Sequence, residues 1–175
     1  MAALIDDLLN LSRASTVELR HDRVNLAEMV GRIAEELKRS EPERKVEFLI
    51  SALPVVEADE GLMRVALDNL IRNAWKYTSR HEAACIEFGA QTVQGETRYF
   101  VRDNGAGFDP SLTRRLFEPF QRLHSRSEFP GTGIGLATVQ RILARHGGRI
   151  WAEGAVERGA TFWFTLRGGS GERAN

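Results

Sequence analysis

The sequence predicts an α+β fold: a two-layer sandwich, helices on one face of a mixed, largely antiparallel sheet, with a flexible lid late in the chain. Three observations predict it. Periodicities alternate in the order helix, strand, helix, strand pair, glycine-rich segment, helix, strand pair. The later strand runs come as neighbours split by short turn signals, which suits antiparallel pairing. The 175 residues, 42% hydrophobic and 27% charged, are enough for one proper core.

Each element has its own signal. "ALIDDLLNLSRAS" places Leu4, Ile5, Leu8, Leu9 and Leu11 near helical spacing, a wide apolar face expected to pair outside this sequence. In "VNLAEMVGRIAEELKRS", Leu26, Met29, Val30, Ile33 and Leu37 form the stripe of a second helix that Asn25 can cap. "KVEFLIS" alternates Val46, Phe48 and Ile50 as a half-buried strand does. "DEGLMRVALDNLIRNAWKYTS" is the longest helix, capped by Asp59, with Ala66, Leu67, Leu70, Ile71 and Ala74 facing the core. "ACIEFGAQTV" and "ETRYFVRDN" read as strands around a tight Gln94-Gly95 turn. From Gly105 to Thr132 only "SLTRRLF" looks helical, which marks the lid. A glycine-led helix follows and ends at Gly147-Gly148. "RIWAEGA" and "ATFWFTL" close the sheet around "VERG", and residues 169–175 read as a flexible tail.

Bulk numbers exclude several classes. Lys+Arg and Asp+Glu both count 24, so a broad nucleic-acid footprint is not expected. The single cysteine, Cys85, can form no internal disulfide and reads as an inert core residue, which fits a cytoplasmic location. No apolar run has the length of a membrane span, and no signal-peptide pattern opens the chain. The immediate helical pattern at residue 2 reads as a piece of a longer protein.

Three stretches carry chemistry. In "GTGIGLATVQRI", Gly131, Gly133 and Gly135 precede a helix start, whose free N–H groups and partial positive charge suit a phosphate. Alone, this is equally a loop that needs a sharp turn. On the long helix, Asn69, Asn73, Lys76 and Tyr77 share a face, at offsets of four, seven and eight. Two asparagines one turn apart are poor helix formers. Their amide oxygens suit a hard cation, and Lys76 suits a phosphate. Alone, this face reads first as a solvated one. In "RDNGAGFDP", Asp103 ends a strand before two glycines and could accept from an exocyclic amine such as adenine N6; alone it is also an ordinary turn. There is no G-x-x-x-x-G-K-[ST], and Leu136 breaks a G-x-G-x-x-G.

Taken in order, these motifs resemble the catalytic ATP-binding domain of bacterial sensor histidine kinases. "LDNLIRNAWKYT" is similar to the family's N box, "DNGAGF" to its G1 box, "LFEPFQRL" to its F box, "GTGIGLA" to its G2 box and "RGATFWF" to its last glycine-containing box. The likeness covers about residues 22 to 168. "FQRLHSRSEFPGTGIGLATVQRI" is most similar to phytochrome-type and PAS-linked kinases.

The resemblance implies ATP and Mg²⁺ as ligands. Asn73 would bind the metal with Asn69 assisting, Lys76 would meet phosphate, and Tyr77 would pack by the adenine. Asp103 would accept from adenine N6, with Thr161 as its polar neighbour, and Gly105 and Gly107 would let backbone pass close to the nucleotide. Gly131, Gly133, Gly135 and the Leu136 N–H would cradle phosphates. Arg122 would stabilise charge on the γ-phosphate, and Phe117 and Phe120 would anchor the lid's edge. His124 and Arg126 also read as solvated lid surface.

Hydrolases with this fold resemble the chain but carry a glutamate base where Asn69 stands, and Asp68 points about 100° away around the helix. An amide cannot take a proton from water, which favours a kinase. A non-catalytic nucleotide-sensing scaffold is a third reading, opposed by intact Asn73, Asp103 and Arg122. None of His21, His81, His124 and His146 has the setting of a phosphoacceptor. "LIDDLLNLSR" resembles the end of the second dimerisation helix, so residues 1–20 are expected to be its remnant, residues 21–168 the catalytic domain, and the acceptor upstream. Implied partners are that dimerisation domain and a response regulator. The parent protein would be a homodimer and this piece a monomer unable to phosphorylate itself, without nucleic-acid or membrane contact.

Overall fold

The computed structural model describes residues 2–124 and 129–167. Arg126 and the tail 169–175 lie outside them.

The helices form where apolar residues recur at helical spacing. Helix α1 spans Ala2–Thr16, α2 Leu26–Ser40, α3 Glu60–Tyr77 and α4 Gly135–Arg145. All five expected stripe residues of α2 are buried, and Asn25 caps it by accepting from the Glu28 N–H at 3.0 Å. The five expected core residues of α3 are also buried.

The strands are β1 Asp22–Val24, β2 Val46–Ile50, β3 Val56–Ala58, β4 Ala84–Val93, β5 Glu96–Asp103, β6 Ile150–Gly154 and β7 Ala160–Phe164. Among the described residues, five of them form one sheet in the order β2-β4-β5-β7-β6. Only β2–β4 pairs parallel in that sheet. Gln94 and Gly95 join β4 to β5 with φ of 51° and 78°, the positive pair that a two-residue hairpin turn needs.

The helices and one sheet face share a single core, with Phe88, Val101, Phe162 and Phe164 from the sheet beside Leu67, Leu70, Ile71, Ile142 and Leu143 from α3 and α4. The opposite sheet face carries stacked Trp151 and Trp163, with Arg149 over the Trp151 ring. Cys85 belongs with that second face, beside Glu47 in register. It is therefore half-buried rather than a core residue, and burial pushes its thiol up, with Glu47 and Glu87 adding to the effect. The period of two decides this: Ile86 and Phe88 take the inner positions of β4, so Cys85 cannot.

Two departures concern short elements. The pair β1–β3, three residues each, was not legible as strands because such runs carry too little alternation. The helical run in the lid is a 3₁₀ turn over Pro110–Arg115, started by Asp109, whose carboxylate accepts from Ser111 N–H at 2.9 Å.

Asp59 does more than cap α3. It is 4% exposed, and its carboxylate accepts from the Leu62 N–H and the Arg20 N–H, both at 2.9 Å. Its own N–H donates to Nε2 of buried His146 at 3.0 Å, while His146 Nδ1 donates to the Ile142 carbonyl at 2.8 Å. The start of α3, the end of α4 and the segment after α1 therefore meet at one buried residue, through its carboxylate and its backbone N–H. Asp59→Ala should cost about 2 kcal/mol in urea unfolding, against about 1 kcal/mol for the exposed cap removal Asn25→Ala. Equal losses would show that Asp59 is a cap and nothing more.

Candidate functional site

One cavity of about 310 Å³ lies between α3, the end of β5, the lid and the start of α4. Asn69, Asn73, Lys76 and Tyr77 all line it, because their shared helical face is the part of α3 that the core does not cover. Asn69 Nδ2 donates to the Val65 carbonyl at 2.9 Å. Its Oδ1 faces α4, where a Cβ on Gly135 would lie 2.6 Å away. Glycine at 135 thus lets the start of α4 sit against the Asn69 amide, which would have to shift to admit a side chain.

Gly131, Gly133, Gly135 and Leu136 line the same end. No side chain caps α4 at Ile134, so no side-chain acceptor takes its first N–H groups, and Gly135 and Leu136 at that start line the cavity. Gly133 has φ of 80°, and its carbonyl accepts from the Phe120 N–H at 2.9 Å. Lys76 reaches into this end. Burial lowers its ammonium pKa to about 8, with Arg122 contributing in the same direction and Asp7 opposing. Arg122 also lines the cavity and donates from Nη2 to the Phe129 carbonyl. Its Nη1 is buried with no hydrogen-bond partner among the described residues, a cationic donor left unsatisfied beside the cavity.

The other end is built by Asp103, 7% exposed. Burial raises its pKa to about 6, although the Gly105 and Ala160 N–H groups donate to it and His81 adds an opposing attraction. Gly107, Phe108, Ala160 and Phe162 wall this end. The Tyr77 ring lies 4.9 Å from that of Phe129 and 5.2 Å from that of His124, and burial raises its hydroxyl pKa.

Four expectations need correction. Thr161 does not neighbour Asp103. It pairs with Arg102, whose Nε donates to Thr161 Oγ1 at 3.2 Å on the opposite sheet face, while Ala160 is the residue opposite Asp103. Gly105 is outside the cavity lining; its missing Cβ clears the Tyr77 carbonyl, which would otherwise be 2.2 Å away. Phe120 is 62% exposed and does not anchor the lid, whereas Phe117 packs edge-on against Phe162 at 6.4 Å. His124 is not plain surface either, since its Nε2 bonds the Gly107 carbonyl at 2.9 Å and its ring packs on Tyr77.

Sequence reasoning missed Asp7, Arg72, Gln121 and Thr132, which also line the cavity. Arg72 lay in plain view, one helical turn from Asn69 and Lys76. Asp7 had no signal, because its nearest partner is Thr132, 125 positions away.

Residues 58–169 match the family described as histidine kinase-, DNA gyrase B- and HSP90-like ATPase. The chain is 38% identical over 173 residues to cyanobacterial phytochrome A of Nostoc sp. (strain PCC 7120), covering 99% of this chain and 22% of that protein. It therefore spans about a fifth of that relative's length. Among solved structures it is similar to full-length ShkA in complex with AMPPNP, with a TM-score of 0.76 and 32% identity over 93% of this chain and 35% of that one. It is also similar to the nucleotide-free catalytic domain of histidine kinase ThkA, with a TM-score of 0.69 and 25% identity over 85% of this chain and 96% of that one. Fold, motif order and cavity agree, and the chain belongs to the histidine kinase-, DNA gyrase B- and HSP90-like ATPase family, as a domain of the sensor histidine kinase catalytic type.

Proposed function

We propose that this domain binds ATP with Mg²⁺ and transfers the γ-phosphoryl group to a histidine on a dimerisation helix outside this sequence. The observation that carries the reading is the polarity of one cavity: a buried carboxylate acceptor, Asp103, at one end, and an uncapped helix start beside Lys76 and Arg122 at the other. An adenine amine suits the first and a triphosphate the second. The ShkA structure, a complex with AMPPNP, supports the same reading.

The donor set fits Mg²⁺. Among the described residues no cluster of three His, Cys, Asp or Glu could hold a metal, whereas the Asn73 and Asn69 amides could supply one or two oxygens beside the phosphates, as that ion prefers. In the transfer, an acceptor imidazole nitrogen would form a bond to the γ-phosphorus as the bond to the bridging oxygen breaks, ADP leaves and the imidazole loses its proton. Arg122 and Lys76 would hold the charge that develops. The parent protein would work as a homodimer in the cytoplasm and pass its phosphoryl group to a response regulator, as the likeness to sensor kinases implies. No described helix is long and apolar enough to cross a membrane.

Calorimetric titration tests this directly. Mg²⁺–ATP should bind and Mg²⁺–GTP should not, and Asp103→Ala should weaken ATP roughly tenfold or more, since the amine loses its acceptor. Unchanged affinity would remove Asp103 from the base site. With a separately supplied acceptor domain, labelled phosphate should move from ATP to protein; binding without transfer would favour the scaffold reading. Asn73→Ala should weaken binding in Mg²⁺ more than in chelator, and equal losses would remove its metal role.

Affinity should also peak between about pH 6 and about pH 8. A bound amine favours ionised Asp103, so affinity falls as pH drops below its free value of about 6, with proton release on binding. Bound phosphate favours the Lys76 ammonium, so affinity falls above about 8, with proton uptake. Titration in buffers of different ionisation enthalpy reads both, and Asp103→Asn should erase the acid limb alone. An acid limb that persists in this variant would remove Asp103 from the linkage.

A further inference from the structure

We propose that Asp7 of α1 is an internal competitor for the phosphate end of the cavity, latching α1 to the glycine segment until nucleotide phosphates displace it. The inference rests on the reading that this cavity takes a nucleotide.

Burial along the first half of α1 is inverted. Leu4, Ile5, Leu8 and Leu9 are 37–59% exposed, yet the charged Asp7 among them is half-buried and lines the cavity. A carboxylate turns inward past four apolar neighbours only where something draws it. Two groups do. The Thr132 hydroxyl donates to Asp7 Oδ2, and the Lys76 ammonium feels its charge. Thr132 stands between Gly131 and Gly133, and a Cβ on Gly131 would lie 2.9 Å from Lys76 Nζ. Asp7 therefore presents a negative oxygen to the donors that a terminal phosphate would use. The second half of α1 is held independently, through fully buried Ala14, whose carbonyl accepts from Arg145, and through the Arg141–Ser15 bond at 2.7 Å. Loss of the Asp7 contact therefore frees the first half of the helix without detaching the second.

Two anions within a few ångströms in a partly desolvated site repel, so nucleotide and latch exclude each other. The coupling is reciprocal: a shift of α1 that withdraws Asp7 raises nucleotide affinity, and nucleotide loosens α1. The position of α1 thereby becomes an input to the site.

Asp7→Asn should tighten ATP roughly threefold to tenfold in calorimetry, tighten ADP less and leave adenosine unchanged. Asp6→Asn, the same charge change on an exposed neighbour outside the cavity, should change none of them. ATP added to the wild-type domain should speed amide exchange in residues 2–9. Unchanged or weaker ATP binding by Asp7→Asn overturns the proposal, as does a loss seen only with Mg²⁺, which would make Asp7 a metal ligand. Slower exchange in α1 with ATP overturns it too. Failure of the underlying reading looks different: neither the wild type nor the variant would bind ATP at all, and both ideas would fall together.

Discussion

The Tyr77 carbonyl, at the last residue of α3, accepts the Ala106 N–H at 2.9 Å, and the cavity depends on that contact. It joins the end of the longest helix to the turn after β5, so the helix face bearing Asn69, Asn73 and Lys76 ends beside Asp103. Glycine at 105 makes the approach possible, since any Cβ there would overlap that same carbonyl. Two more glycines close the corner. Gly107, with φ of 63°, lies against the Ala155 carbonyl, and Gly159, with φ of 83°, lies against the carbonyl of Asp103. Backbone packed this closely fixes the carboxylate within a wall, and the wall then sets its chemistry.

That chemistry costs stability. Asp103 titrates at about 6 in the folded chain against 3.8 for the ordinary group, because burial disfavours its charge. The folded state thus holds the proton more tightly, and the stability this confers is present at low pH and lost as pH rises through about 6. Lys76 runs the other way. Its lowered value means the unfolded chain binds the proton more readily between about 8 and 10.5, so its penalty is full at neutral pH and fades only in alkali. At pH 7 the domain holds two disfavoured charges of opposite sign at opposite ends of one cavity. The Asp59 junction and the core beneath α3 offset that cost, and a ligand with a donor at one end and an anion at the other relieves it.

What was legible in the sequence follows from how far each signal reaches. The shared face of Asn69, Asn73, Lys76 and Tyr77 depends only on helical period, and the cavity brings all four together. Glycines 131 and 133 precede a real helix start, and Gly135 opens that helix, for the same local reason. Thr161 went astray by a single strand position, because pairing register decides which of Ala160 and Thr161 faces Asp103, and register is not local. Cys85 failed by the same parity. Asp7 and His146 were illegible for a stronger reason. Their partners, Thr132 and Asp59, lie far along the chain, and nothing in a carboxylate on an apolar helix or a histidine near its end announces them.

Transfer to a protein side chain demands that water near the terminal phosphate find no base. Asn69 meets that demand, since its Nδ2 is committed to Val65 and an amide oxygen cannot take a proton. Asp68 meets it as well, because both its oxygens accept from Arg72 Nε at 2.9 Å outside the cavity. Among the described residues the cavity lining holds two carboxylates, Asp103 and Asp7. Asp103 sits at the end away from Lys76's phosphate-facing loop and is wrapped by backbone N–H groups. Asp7 is the one near that loop, and its Oδ2 is bonded to Thr132. A carboxylate that leaves when phosphates arrive cannot serve as a base on them. On the proposed reading, the same exclusion that makes Asp7 a latch would keep the site poor at hydrolysis, so the position of α1 would bear both on nucleotide entry and on the fate of the γ-phosphoryl group.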